Sequence, residues 1–151
     1  MRRNCVIAVN PLNIFIMAYK IIDIEGIGEA YAAKLNEVGV TTTDNLLESC
    51  ATRAGRKKMA EATGISDSLI LRWTNHADLF RIKGVAGQFA ELLEAAGVDT
   101  VKELRNRVPA NLQAKMEEVN AQKNLVRRVP AVKEVEKMVA QAKELEPKVE
   151  Y

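Results

Sequence analysis

Three short stretches of this chain place glycine where backbone N–H groups can converge on an anion. They are Gly26-Ile27-Gly28, Gly84-Val85-Ala86-Gly87 and Gly64-Ile65-Ser66. Glycine permits the left-handed backbone and close approach that such a turn needs. A helix beginning just after the turn adds unpaired N–H donors and the positive end of its dipole. The charge such donors suit is a negative one. Arg81 and Lys83 stand beside Gly84, and Arg127 and Arg128 form a further basic pair. If folding brings these four together they make a phosphate patch. Glu25 and Glu29 flank the first turn instead and would repel a phosphate, while Ala86 stands where a second glycine would allow closer approach.

The elements that position these turns are written twice. Ile24 to Leu46 superposes on Ile82 to Leu104 without gaps at an offset of 58 residues. Gly26 meets Gly84, Tyr31 meets Phe89, Leu35 meets Leu93, Gly39-Val40 meets Gly97-Val98 and Thr42 meets Thr100. Such density of matches marks a duplicated unit. In the first copy Ala30, Tyr31, Lys34, Leu35 and Val38 fall on or beside one helical face. Gly39 ends that helix, and one of Thr41, Thr42 or Thr43 caps the next. In the second copy Phe89, Leu92, Leu93 and Ala96 form the stripe, Gly97 stops it, and Asp99 or Thr100 caps the next helix. Beyond Gly64, a helix carries Leu69, Ile70, Trp73 and Ala77 on its face. In the second half Asn120 is expected at the turn that Gly64 makes in the first, and Pro130 in the first turn of a last helix. Val132, Val135, Met138, Val139, Ala142 and Leu145 make the stripe of that helix.

These residues resemble the helix-hairpin-helix motif, an apolar residue, any residue, Gly, apolar, Gly, then a small residue and a Leu on the following helix. In IEGIGEAYAAKL they are Ile24, Gly26, Ile27, Gly28, Ala32 and Leu35. The span from Leu35 to Leu79, with LNEVGVTT and the later GIS turn, resembles the small N-terminal domain of archaeal and eukaryotic recombinases. The region from Tyr19 to about Leu145 is similar to a bacterial family of unknown function built from paired helix-hairpin-helix units, and to helix-hairpin-helix domains of DNA repair. The resemblance implies an all-α fold of two tandem units. The first unit is expected over 19–79 and the second over 80–146, with an extension over 1–18 before them and a tail over 147–151 after them. The resemblance also implies that the turns bind DNA phosphates without reading sequence, through Gly26, Ile27 and Gly28, through Gly84, Val85 and Ala86, and through Gly64 with Ser66.

Composition sets limits on the function. Aromatic residues are 5% of the chain, and Ala, Leu, Val, Glu and Lys abound, which favours helices over sheet. The net charge of +2 gives no argument from the total for a polyanionic or membrane partner. By region, residues 20–79 hold 7 basic and 9 acidic side chains, and residues 80–151 hold 13 and 11. The basic clusters Arg53-Arg56-Lys57-Lys58, Arg105-Arg107 and Lys123-Arg127-Arg128 read first as solvated helix faces. Cys5 and Cys50 have no metal-ligand spacing and suggest free thiols in a reducing, cytoplasmic setting. The start MRRNCVIAVNPLNIFIMA superficially resembles a signal peptide, but it is polar-interrupted and too short to span a bilayer. An extension from an upstream start codon, or a tail packed on the core, is the preferred reading. Tyr31, Phe89 and Trp73 belong to apolar stripes, Met59, Met116 and Met138 read as core filler, and His76 as a surface position.

No nucleophile–base set, P-loop, dinucleotide fingerprint or metal motif is present, so no catalytic residues, cofactor or metal are expected. The expectation is a non-enzymatic module that contacts the DNA backbone, chiefly through its second half. The alternative is a protein-interaction or scaffolding module that has lost the phosphate site. The sequence fits a monomer or a homodimer.

Overall fold

In the computed structural model, residues 6–9, 15–85 and 87–151 are described, with side chains from residue 19 onward. Residues 1–5, Cys5 among them, residues 10–14 and Ala86 lie outside the described residues. The body is all-α. Val6–Val9 (β1) and Phe15–Ala18 (β2) pair antiparallel ahead of it, with Val6 opposite Ala18 and Val9 opposite Phe15. The chain divides into two compact units. One ends at Ala77 but regains Val149–Tyr151, and the other is Asp78–Lys148. Of the expected tail over 147–151, residues 149–151 thus fall in the first unit and residues 147 and 148 in the second.

The first unit holds a 3-10 turn (Ile21–Asp23), α1 (Gly28–Glu37), α2 (Thr43–Cys50), α3 (Arg53–Thr63) and most of α4 (Asp67–Leu79). Ile21, Ile24, Ile27, Leu35, Leu46, Ile70 and Trp73 are buried. Each such large side chain contributes about 1.5–3 kcal/mol by leaving water. Tyr31 meets Trp73 edge to face, with ring centroids 5.1 Å apart. Both rings therefore pack, as their stripe positions suggest. The second unit holds α5 (Gln88–Ala95), α6 (Val101–Leu104), α7 (Pro109–Lys123) and α8 (Val132–Glu144). Its buried set includes Ile82, Val85, Leu92, Leu93, Val98, Leu104, Met116, Val135 and Val139. His76 is not a surface residue. It is fully buried within α4, because its side of the helix is covered along with Trp73 and Ala77.

Local backbone bonds recur at the sequence offset of 58. Val40 N donates to Leu35 O at 2.9 Å, and Val98 N to Leu93 O at 2.8 Å. Gly39 N donates to Asn36 O, and Gly97 N to Glu94 O. Ile27 N donates to Ile24 O, and Val85 N to Ile82 O. Gly26 (φ 93°) and Gly84 (φ 88°) both take the left-handed region, where a side chain would be strained. Thr42 caps α2 by accepting from Asn45 N at 3.1 Å, and Asn45 Oδ1 accepts from Thr42 N at 3.3 Å. Thr100 caps α6 by accepting from Glu103 N at 3.3 Å, and Glu103 Oε2 accepts from Asp99 N at 3.0 Å. The first is a reciprocal capping box, whereas in the second Glu103 reaches past the cap residue to the N–H of Asp99.

The later part of the second unit departs from the expected pattern. Asn120 makes no turn. α7 continues to Lys123, and Asn124 (φ 49°, ψ 48°) is the left-handed residue. The Asn120 carboxamide instead bonds Val126 through both its N–H and its carbonyl, each at 3.0 Å. Pro130 precedes the cap residue Ala131 of α8 rather than lying within the helix, and Pro109 takes the first position of α7.

Gly55 lies inside α3, where helix propensity alone favours alanine by about 1 kcal/mol. A Cβ there would collide with the carbonyl oxygen of Ser49 and lie 3.2 Å from Thr52 Oγ1. Gly55→Ala is therefore expected to destabilise the first unit by about 1–3 kcal/mol. Urea unfolding followed by Trp73 fluorescence checks this, and a stabilised variant would refute the packing argument.

Candidate nucleic-acid interface

The first turn is open by geometry. Gly28 (φ 62°) begins α1, and no described residue accepts from the N–H groups of Gly28, Glu29 or Ala30, all exposed. Ile27 is buried to 1% exposure and anchors the turn from inside. Three free N–H groups at a helix start would hold an oxyanion. Glu25 and Glu29 place carboxylates on either side, and Glu29 in the first turn already balances the dipole. This turn has the donors and the wrong charge.

The second turn has the opposite balance. Gly84 is exposed, Val85 is buried at the core, and Gly87 (φ 53°) is the buried cap residue of α5. Its N–H donors are partly committed, since Lys83 N donates to Gln141 Oε1 at 2.8 Å and Val85 N to Ile82 O at 3.1 Å. Arg81 is not the available cation its position suggests. Its Nη1 pairs with Asp78 Oδ1 at 2.7 Å, its Nη2 donates to Glu146 O at 2.8 Å, and its side chain is 14% exposed. Lys83 is exposed, and no described residue pairs with its ammonium group.

The third turn and the basic pair complete the set. Gly64 closes α3 in the left-handed region (φ 73°). Ser66 starts α4, with its hydroxyl accepting from Leu69 N at 3.4 Å and lying 3.3 Å from Ser68 Oγ. Its hydroxyl thus already serves a helix start. Arg128 reaches both oxygens of Glu134, at 3.0 and 3.1 Å, whereas Arg127 is exposed with no described partner. Of the four expected cations, Lys83 and Arg127 remain available to a ligand.

The basic clusters divide in the same way. Arg105 donates to Lys143 O at 3.3 Å, and Arg107 to Ala96 O at 2.8 Å, at the end of α5. Arg56 is only 6% exposed and bonds the carbonyls of Cys50, Ala51 and Glu150. Arg53, Lys57 and Lys58 on the same helix stay in solvent. Burial pushes the Cys50 thiol up to about 11, against weaker downward pulls from a Thr74 hydrogen bond and the Arg56 charge. It is a protonated thiol at neutral pH and a poor nucleophile. Among the described residues no cluster of three or more His, Cys, Asp or Glu side chains could hold a metal, and no helix is long and apolar enough to cross a membrane.

Searches of curated proteins and of solved structures return no match. The sequence model of one family matches residues 25–145, most of the chain, and the protein belongs to that family, Domain of unknown function (DUF4332).

Proposed function

We propose that the protein is a non-enzymatic module of two tandem helix-hairpin-helix units that holds the phosphate backbone of DNA without reading its sequence. The observation that carries this reading is the Gly84 turn. Gly84 is exposed in the left-handed region, and Lys83 beside it presents an unpaired ammonium group. No acidic residue occurs from Leu79 to Ala90, so nothing in that stretch competes with a phosphate. The tandem reading is supported by the backbone bonds and caps that recur at the offset of 58. Arg127 adds charge in the same unit, while Arg81 acts as a strut.

The test is fluorescence anisotropy with labelled single-stranded, double-stranded and branched DNA over a salt series. Binding should weaken linearly in log salt, and Lys83→Glu with Arg127→Glu should lower the slope by about 2. Absence of binding to every substrate at low salt would overturn the reading.

A second reading rests on the first turn. Its open N–H groups lie between Glu25 and Glu29, a surface suited to a basic protein partner rather than to DNA. On that reading Glu25→Lys with Glu29→Lys abolishes partner capture and leaves DNA affinity unimproved.

A further inference from the structure

The first unit carries an open cavity of about 590 Å³ whose lining includes Arg53, Arg56, Lys57, Asp67, Leu71 and Tyr151. That volume lies in the range of small-molecule sites, about 300–1,000 Å³. Its walls differ in chemistry. Arg53 and Lys57 are one turn apart on α3, both exposed, and no described residue pairs with either head group. Asp67, the first residue of α4, also lines the cavity, and no described residue donates to its carboxylate. Leu71 and the Tyr151 ring supply the apolar surface.

Tyr151 is held in place. Arg56 Nη2 donates to Glu150 O at 2.6 Å, Glu150 N donates to Ala51 O at 2.7 Å, and Tyr151 Oη donates to Asn75 Oδ1 at 3.1 Å. Three bonds thus fix the segment that brings an aromatic ring to a pair of cations. Two cations at helical spacing match the charge of one phosphate group. A ring with a neighbouring leucine offers a stacking wall to a planar base. The Asp67 carboxylate accepts from hydroxyl or amino groups and repels a second anion. An acidic peptide would meet that repulsion and leave the ring unused.

We propose that this groove binds a nucleoside phosphate, with the phosphate between Arg53 and Lys57, the base against Tyr151 and Leu71, and the sugar hydroxyls toward Asp67. The nucleotide is either free or a unit of a single strand. This site shares no residue with the Gly84 turn, so it stands or falls apart from the backbone-binding reading.

The experiment is calorimetric titration of the full chain with AMP, ADP and a short oligothymidylate. Amide chemical-shift mapping on the unaltered protein accompanies it. Saturable binding with shifts at Ser68 and Leu71 is expected. Arg53→Glu with Lys57→Glu should weaken it by at least about tenfold, as loss of charge-assisted bonds does. Tyr151→Ala should weaken it by about tenfold through lost stacking, and Tyr151→Phe much less. Lys83→Glu with Arg127→Glu should leave AMP affinity unchanged. Tighter binding of the strand than of AMP identifies a strand unit, and equal binding identifies a free nucleotide. Failure of every nucleotide and strand to saturate, or shifts that fall elsewhere, overturns the proposal. So does hexaglutamate binding as tightly as ADP and with the same indifference to Tyr151→Ala, which would mark a site that reads only charge.

Discussion

Asp78→Ala is expected to lower the stability of the second unit by about 3–5 kcal/mol, the cost of stranding a buried charge and a buried donor together. Asp78 is 1% exposed, and both its oxygens are engaged. Oδ1 takes Arg81 Nη1 at 2.7 Å, and Oδ2 accepts from Val101 N at 2.8 Å. The equivalent N–H in the first unit, that of Thr43, donates to the backbone carbonyl of Tyr19 at 2.8 Å. In the second unit a side chain does what the main chain does in the first. Removing it leaves the guanidinium in a largely buried place and leaves the start of α6 without an acceptor. Asp78→Asn should cost less, because one oxygen can still accept from Val101. Urea unfolding followed by far-UV circular dichroism reads the effect, since Trp73 lies in the first unit. A double-mutant cycle with Arg81→Ala isolates the pair. A loss below about 1 kcal/mol for Asp78→Ala would show that water reaches the site and screens it. The same geometry decides which residues test DNA binding. Arg81→Glu would break the pair with Asp78 and set two carboxylates together, so its loss of binding would not separate recognition from stability, whereas Lys83 and Arg127 have no described partner to lose.

What the sequence made legible is what local backbone physics decides. Gly39 and Gly97 end their helices where a left-handed residue must follow, and Thr42 and Thr100 cap where a hydroxyl can reach a free N–H. These choices depend on a few neighbouring residues and survive any tertiary context that keeps the helices. The misplacement of the turn at Asn120 has the same kind of cause. Asn120 and Asn124 both tolerate left-handed geometry, but Asn120 stays helical with its carboxamide bonded to Val126, and Asn124 takes the turn. The fate of a cation is a different kind of question. Arg81, Arg107 and Arg56 look like Lys83, Lys58 and Arg127 in composition and in local charge. Each of the first three ends on a carbonyl or carboxylate brought to it by folding, and Arg56 meets a carbonyl 94 residues away. No spacing rule reports these carbonyl partners, and only Asp78, three residues before Arg81, stands at a readable spacing. The candidate site was therefore legible as turns and illegible as charges.

Arg56→Met is expected to cost the first unit about 2–4 kcal/mol and to release the segment from Val149 to Tyr151. Its guanidinium donates to Cys50 O and Ala51 O, both at 3.0 Å, and to Glu150 O at 2.6 Å. The first two carbonyls lie at the C-terminal end of α2, where unsatisfied carbonyls and the negative end of the dipole favour a cation. Methionine fills much of the same volume, so the loss is one of donors and charge rather than of packing. Bonds to charged donors contribute about 1.5–3 kcal/mol each, but three bonds from one group do not add. Ala51 O keeps its bond from Glu150 N only if the segment stays docked. Loss of the Arg56 bond to Glu150 and loss of docking should therefore occur together. Amide exchange at Glu150 measures docking directly, and Trp73 fluorescence during urea unfolding measures the stability of the unit. Deleting residues 149–151 in the wild-type chain should reproduce part of the cost, and deleting them in Arg56→Met should add little. If the two changes instead add in full, the arginine and the segment stabilise the unit independently, and Arg56 serves α2 alone.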